Sequence, residues 1–127
     1  MELLLDTHTI IWYVEDDPRL PKHIRQTLKD DSNNIYVSMI SLWEISIKSR
    51  LGRLDMSKPL ADVVSSLYDN FFEFLTVRLD HVFRLDTLEQ YHKDPFDRML
   101  IAQALAGNFA LVGCDEVFDL YGVRRMW

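Results

Sequence analysis

Short apolar segments alternate with helical patterns along the whole chain, and this alternation most constrains its fold. Apolar, β-branched and aromatic runs predict strands at residues 2–6, 35–38, 74–77 and 109–112, and an edge strand at 123–127. Amphipathic spacings and caps predict helices at residues 10–14, 21–28, 41–51, 60–71, 80–91 and 94–107. Strands that alternate with helices form a mainly parallel sheet covered by helices on both faces. The sequence therefore predicts one α/β domain over residues 1–127, a three-layer α/β/α sandwich.

Charge and cysteine content exclude several classes of function. The chain carries 14 Lys+Arg and 20 Asp+Glu, a formal net charge of -6, which argues against a protein that coats DNA through phosphate contacts. A single cysteine, Cys114, rules out an internal disulfide, and neither C-x-x-C nor H-x-x-x-H occurs to suggest zinc. The uncharged stretch 99–114 is too short to cross a bilayer, and the acidic start lacks the features of a secretory signal. We expect a cytoplasmic protein with no membrane partner.

Four carboxylates are predicted to gather at one edge of the sheet. Asp6 ends the first strand and Asp115 follows the last strong strand. The carboxyl ends of parallel strands share one edge, where ligands bind at the point at which the strand order reverses. Glu44 and Asp97 are predicted in the first turns of helices that begin at or near this edge. The placement of Asp97 is less direct, because no strand immediately precedes its helix.

Each of these acids also has a structural alternative. Ser41 and Glu44 have the spacing of a capping box, and Asp94 followed by Asp97 is close to one. Taken singly, Glu44 and Asp97 fit helix caps, and the two acids that follow strands fit turn formers. The turn interpretation is weaker for Asp6, because an acid directly after three leucines is expected to be buried.

The convergence of the acids favours a metal site. Four carboxylates at one edge repel one another and raise their own pKa values unless a cation neutralises them. Oxygen ligands without Cys or His favour a hard cation such as Mg²⁺ or Mn²⁺. Such an ion activates water and stabilises charge on a phosphate, which suits phosphodiester hydrolysis. Among the basic residues near these acids, Arg98 is the best candidate to assist.

Four segments, in this order, resemble the PIN domain of the VapC toxin type across essentially the whole chain. They are Leu4-Leu5-Asp6-Thr7-His8, Ser41-Leu42-Trp43-Glu44-Ile45, the run from His92 to Ala104 that contains Asp94-Pro95-Phe96-Asp97-Arg98, and Cys114-Asp115-Glu116-Val117-Phe118. The resemblance implies a PIN-like α/β/α fold and a ribonuclease that uses Mg²⁺ or Mn²⁺, with these catalytic and metal-binding acids: Asp6, Glu44, Asp97 and Asp115. It also implies a homodimer and a VapB-type antitoxin, which covers the active site and itself binds operator DNA.

One position departs from the family pattern. The family commonly has Thr or Ser two residues before the last acid, where a hydroxyl can help to order the metal or its water, but this chain has Gly113. Thr7, beside the first acid, is a candidate to replace that hydroxyl in part. Asp94 is interpreted chiefly as the N-cap that holds the neighbouring acid, with a metal-linked role as the alternative. His8 and His92 are not predicted to be ligands.

The sequence thus predicts an endoribonuclease toxin that cleaves RNA with a metal-activated water, and three alternatives remain. A phospho-accepting receiver domain fits the length and acidity, but no Lys follows Lys93 and no acceptor Asp follows a mid-chain strand. A PIN-like module that binds RNA or a partner without cleaving is favoured only by Gly113. A housekeeping RNA-processing nuclease would carry the same acids as a toxin.

Overall fold

A five-stranded parallel sheet forms the centre of the protein. The computed structural model describes residues 1–127. The strands lie in the order β3-β2-β1-β4-β5, and every neighbouring pair is parallel. Their bounds are β1 Glu2–Leu5, β2 Asn34–Ser38, β3 Glu73–Leu75, β4 Ala110–Val112 and β5 Arg124–Met126. The predicted parallel sheet and its edge strand at the carboxyl end are confirmed.

Six α-helices and one 3₁₀ helix connect these strands. Their bounds are α1 Thr7–Val14, α2 Lys22–Lys29, α3 Met39–Arg50, α4 Leu60–Asp69, α5 Leu79–Asp86, α6 Pro95–Gly107 and the 3₁₀ helix Glu116–Tyr121. Local signals explain α6 well, because Asp94 caps its first turn, Pro95 occupies its first position and Asn108 ends it in the left-handed conformation. The prediction that Asp94 is an N-cap is confirmed. No helix is long and apolar enough to cross a membrane.

The start of α3 differs from the prediction. The helix begins at Met39, directly after β2, because the Ser38 hydroxyl accepts a hydrogen bond from the Ile40 N–H at 3.1 Å and caps it. The predicted capping box of Ser41 and Glu44 is therefore wrong. Both residues lie inside the helix, which places Glu44 in its second turn rather than its first.

The bounds of α5 also differ. Arg78, not Asp80, is the N-cap residue, and the helix ends at Asp86 instead of continuing to Tyr91. The segment that follows is held by the 3₁₀ helix, since the Tyr121 hydroxyl donates to the Glu89 carbonyl at 2.8 Å. This long-range contact gives the Glu89 carbonyl a partner in the segment after α5.

The pleat of β1 divides the core into two layers. Leu3 and Leu5 face a large apolar cluster built with α1, α2, α3 and α4, whereas Leu4 faces a smaller cluster built mainly with α6 and the 3₁₀ helix. β1 lies between β2 and β4, with Leu5 paired with Val37 on one side and Val112 on the other. Burial on both faces explains why this strand is a continuous run of leucines.

The strand order reverses between β1 and β4. From β1 the chain proceeds outward to β2 and β3, whereas β4 is followed outward by β5. In parallel sheets the crevice outside the carboxyl ends of such a strand pair is the usual place for a ligand. Asp6 and residues 113–115 lie at this crevice, which positions the site.

Candidate active site

Asp6 is fixed at the carboxyl end of β1. Its backbone N–H donates to the Val112 carbonyl at 3.0 Å, and its Oδ1 accepts from the Thr9 N–H at 2.8 Å, which caps α1. The residue is 5% exposed, and burial raises the pKa of its carboxyl despite the hydrogen bonds from Thr9. Oδ2 is left for another partner.

Glu44 lies beside Asp6 but already has two partners. The Thr7 hydroxyl donates to Glu44 Oε1 at 2.5 Å and lies 3.1 Å from the Ser41 hydroxyl. The Lys48 ammonium forms an ion pair with Glu44 Oε2, one helical turn away on α3. The carboxylate is 3% exposed, so both of its oxygens are satisfied by groups of the protein itself.

Lys48 is the cation of the site. Besides pairing with Glu44, its Nζ lies 3.5 Å from Asp94 Oδ2 and 5.7 Å from the centre of the Phe96 ring. Burial lowers the pKa of the ammonium, but the two carboxylates outweigh burial and raise it above its ordinary value. Lys48 therefore carries a stable positive charge among the acids.

Asp97, in the first turn of α6, carries the strongest electrostatic signature of the site. Burial and the negative charges of Asp94, Glu44, Asp6 and Asp115, in that order, raise the pKa of its carboxyl to about 8. Acids from β1, α3, α6 and the segment after β4 thus lie close enough to repel one another. The structure places Asp97 and Asp115 within metal-binding distance of each other, whereas Asp6 and Glu44 lie outside that group and act on Asp97 through their charges. The catalytic roles of all four acids stay a prediction.

Asp115 and Asp97 share an imidazole neighbour. His92 Nε2 lies 3.0 Å from Asp115 Oδ2 and 3.1 Å from Asp97 Oδ2. Asp115 also caps the 3₁₀ helix, because its Oδ1 accepts from the Val117 N–H at 3.0 Å. Sequence reasoning left His92 out of the site. Its position two residues before the N-cap of α6 is a local clue, but the contact with Asp115 depends on the fold.

Arg98 does not point at the carboxylates. Its guanidinium donates to the Glu89 carbonyl at 2.8 Å and lies 3.4 Å from the His92 carbonyl and the Tyr121 hydroxyl. It therefore holds the loop that carries His92. The basic residue inside the site is Lys48.

Gly113 has a steric reason in this structure. A Cβ atom built at this position would lie 2.4 Å from Asp6 Oδ2 and 2.7 Å from its Cγ, far inside van der Waals contact. The Asp6 carboxylate fills the space that a Thr or Ser side chain would need. The departure from the family pattern is thus coupled to the position of the first acid.

Nearly the whole chain matches the sequence of a known family. The sequence model of the PIN domain family matches residues 3–123. The chain belongs to the PIN domain family. No significant match was found among curated protein sequences.

Solved structures share this PIN fold. A chain of VapBC2 from Rickettsia felis, bound to a promoter DNA fragment, has a TM-score of 0.73 at 20% identity, with 99% of this chain and 98% of that chain covered. DNA-bound VapBC from Salmonella typhimurium gives 0.74 at 20%, covering 99% and 97%. VapBC-1 from nontypeable Haemophilus influenzae gives 0.69 at 18%, again covering 99% and 97%. At these identities the matches establish a common fold over nearly the full length.

The donor atoms of this PIN domain fit a hard divalent cation. Oxygens of Asp97 and Asp115 lie within 4.8 Å of each other and of His92 Nε2. Asp6 is not part of this group, but its Oδ2 has no hydrogen-bond partner and is free for a ligand. Carboxylate oxygens in this number suit Mg²⁺ or Mn²⁺. Burial and, after it, the charges of the neighbouring acids raise the pKa of Asp97, so a bound cation would stabilise its ionised form.

Proposed function

We propose that this PIN domain is a metal-dependent endoribonuclease, the toxin of a toxin–antitoxin pair. The observation that carries the proposal is the convergence of carboxylates at the sheet crevice, where burial and then the charges of the neighbouring acids raise the pKa of Asp97 to about 8. Burying like charges together lowers the stability of the protein, and a bound cation would neutralise this repulsion.

The acids have distinct parts in the proposed site. Asp6, Glu44, Asp97 and Asp115 would hold Mg²⁺ or Mn²⁺, with Lys48 competing for Glu44. When bound, the ion would supply an activated water and offset charge on the phosphate. Thr7 orients Glu44 through its hydroxyl, and Asp94 fixes the first turn of α6 that carries Asp97. These residues pre-organise the site before RNA arrives.

The proposed partners rest on likeness. The similar chains from Rickettsia felis and Salmonella typhimurium come from VapBC complexes bound to DNA, which supports an antitoxin partner that mediates any DNA contact. An RNA substrate, a homodimer and a cytoplasmic location belong to the same proposal and are supported by the sequence resemblance.

A non-cleaving module that binds RNA or a partner is the alternative that Gly113 favoured. The close approach of Asp6 Oδ2 to that position gives the glycine a steric reason that does not require a loss of activity. This weakens the alternative. A housekeeping nuclease would share the chemistry, so a growth assay of cells that express this chain, with and without a VapB-type antitoxin, distinguishes it from a toxin.

The test compares purified parent and Asp6→Asn proteins on total cellular RNA in Mg²⁺, Mn²⁺ or EDTA, with the cleaved ends mapped by sequencing. Asp31→Asn is the matched control, because Asp31 is an exposed acid in the loop before β2, at the opposite edge of the sheet. We expect discrete ends from the parent and Asp31→Asn only when metal is present. Equal cleavage by Asp6→Asn would contradict the site, and no cleavage under any metal would favour binding alone.

A further inference from the structure

His92, Asp97 and Asp115 have the outward form of a metal-binding triad. One ring nitrogen and two carboxylate oxygens lie within 4.8 Å of one another at the edge of the site. A histidine that ligates through Nε2 must have its lone pair on Nε2 and its proton on Nδ1. The surroundings of Nδ1 therefore decide whether His92 can bind the ion.

Nδ1 of His92 faces a donor. The backbone N–H of Asp94 donates to it at 3.1 Å, and a backbone N–H cannot accept a hydrogen bond. Nδ1 must then present its lone pair, which places the ring proton on Nε2. In metal-binding histidines the second ring nitrogen instead donates to a carboxylate, a carbonyl or water. The tautomer that Asp94 selects is the one that does not ligate through Nε2.

Three further contacts hold the residue, one through its backbone and two through its ring. The Tyr121 hydroxyl accepts from the His92 N–H at 2.7 Å, and the imidazole stacks on Phe118 with ring centroids 5.9 Å apart and an angle of 26°. Phe118 is fully buried, so the surface under the ring is rigid. Nε2 then points at Asp115 Oδ2, 3.0 Å away, with Asp97 Oδ2 at 3.1 Å. These contacts fix the direction of one N–H bond.

We infer that His92 is a positioning residue that donates its Nε2–H to Asp115 and holds this acid beside Asp97, and that it does not bind the metal ion. The inference rests on the proposed function, because it concerns ligands of the proposed ion. A donor between two repelling carboxylates offsets their repulsion and keeps them at one distance. The two acids come from the segment after β4 and from α6. His92 therefore connects two parts of the site whose relative position the hydrogen bonds of the sheet do not fix.

Two spectroscopic measurements distinguish a positioning residue from a ligand. Long-range ¹H–¹⁵N correlation spectra of histidine-labelled protein, without metal and with Mg²⁺, should show the Nε2–H tautomer for His92. Pulsed EPR of the Mn²⁺-loaded protein should show no coupling from an imidazole ¹⁴N. The Nδ1–H tautomer in the Mg²⁺ form, or a ¹⁴N coupling that is lost in His92→Gln, would overturn the inference.

Variants supply the matching affinities. His92→Ala should weaken Mn²⁺ binding measured by calorimetry by about tenfold or more, as loss of a partner of a ligand typically does. His92→Gln, whose amide can place a donor near the position of Nε2, should recover most of that loss, and His23→Ala on the exposed face of α2 should change nothing. Equal weakening in His92→Gln and His92→Ala, with both folded by circular dichroism, would contradict the positioning role. A parent that binds no Mn²⁺ would overturn the proposed function as well, whereas binding with ¹⁴N coupling would overturn this inference alone.

Discussion

The two halves of the acidic site differ in how their charge is balanced. On one half, Glu44 has a hydroxyl on one oxygen and the Lys48 ammonium on the other. On the other half, Asp97 and Asp115 have only the imidazole of His92 between them, and burial together with the neighbouring negative charges raises the pKa of Asp97 to about 8. The protein supplies a cation for the first half and leaves the second half short of one. The comparison indicates that a recruited ion belongs with Asp97 and Asp115.

Asp97→Asn should have the largest effect, because it removes the buried acid whose negative charge is least compensated by a cation of the protein. Cleavage of RNA should fall by more than about 100-fold, beyond the loss usual for a mere partner of a ligand. The folded pKa of about 8 lies above the ordinary 3.8, so the metal-free folded state binds the extra proton and the free energy of unfolding falls as pH rises toward 8.

The same substitution should therefore stabilise the protein in EDTA. At about pH 9, urea unfolding should show a gain of roughly 1–3 kcal/mol, since a buried repelled charge is removed. Asp31→Asn provides the control for a change of net charge. A metal-free Asp97→Asn protein that is less stable than the parent at this pH would contradict the charge deficit.

In the half that contains Glu44 and Lys48, removing a charge should lower the free energy of unfolding instead of raising it. Lys48→Met leaves Glu44 buried without its counter-ion and should lower the free energy of unfolding by about 3 kcal/mol. Adding Glu44→Gln should restore at least half of that loss, because the uncompensated charge is gone. A double-mutant cycle by urea unfolding measures the coupling, and a loss no larger than that of a solvated surface pair, below about 1 kcal/mol, would break the comparison.

The pH dependence of metal binding sharpens the comparison further. Below about pH 8 the metal-free Asp97 carboxyl holds a proton that must leave when a cation binds. Mn²⁺ affinity should therefore fall by up to about tenfold for each pH unit below 8. Calorimetry in buffers of different ionisation enthalpy should detect the released proton, and an affinity independent of pH between 6 and 8 would contradict the elevated pKa.

Gly113→Thr tests whether the family hydroxyl can return to this site. Because the added Cβ would overlap Asp6 Oδ2, Gly113→Thr should destabilise the protein by roughly 1–3 kcal/mol and weaken Mn²⁺ binding. Both effects should be smaller than those of the substitutions above. Thermal unfolding and calorimetry measure both effects. Cys114→Thr, at the exposed neighbouring position, is the matched control. Enhanced cleavage by Gly113→Thr would show that Asp6 moves aside at no cost.

Local signals in the sequence predicted a large part of the fold and site. Three leucines before Asp6 predicted a buried strand with an acid at its end, and Asp94-Pro95 predicted the start of α6. In both cases the decisive contacts are made within a few residues, such as the bond from the Thr9 N–H to Asp6. Short-range chemistry of this kind is visible in a single chain.

The rest depended on contacts between distant segments. Lys48 meets Asp94 across 46 residues and His92 meets Asp115 across 23, so their pairing follows only from the packing of α3, α6 and the 3₁₀ helix. The start of α3 was missed because Ser38 was assigned only to the strand, whereas its hydroxyl also caps the helix that begins directly after β2. Tyr121 likewise contacts Glu89, in the segment after α5, across 32 residues.

The most direct test of the central claim is a calorimetric Mn²⁺ titration, near pH 8 and without RNA, of the parent, Asp97→Asn and Asp31→Asn proteins. The account predicts binding by the parent and Asp31→Asn with proton release, and binding at least about 100-fold weaker by Asp97→Asn. Equal Mn²⁺ affinity in the parent and Asp97→Asn would contradict the claim that this half of the site lacks, and recruits, its cation.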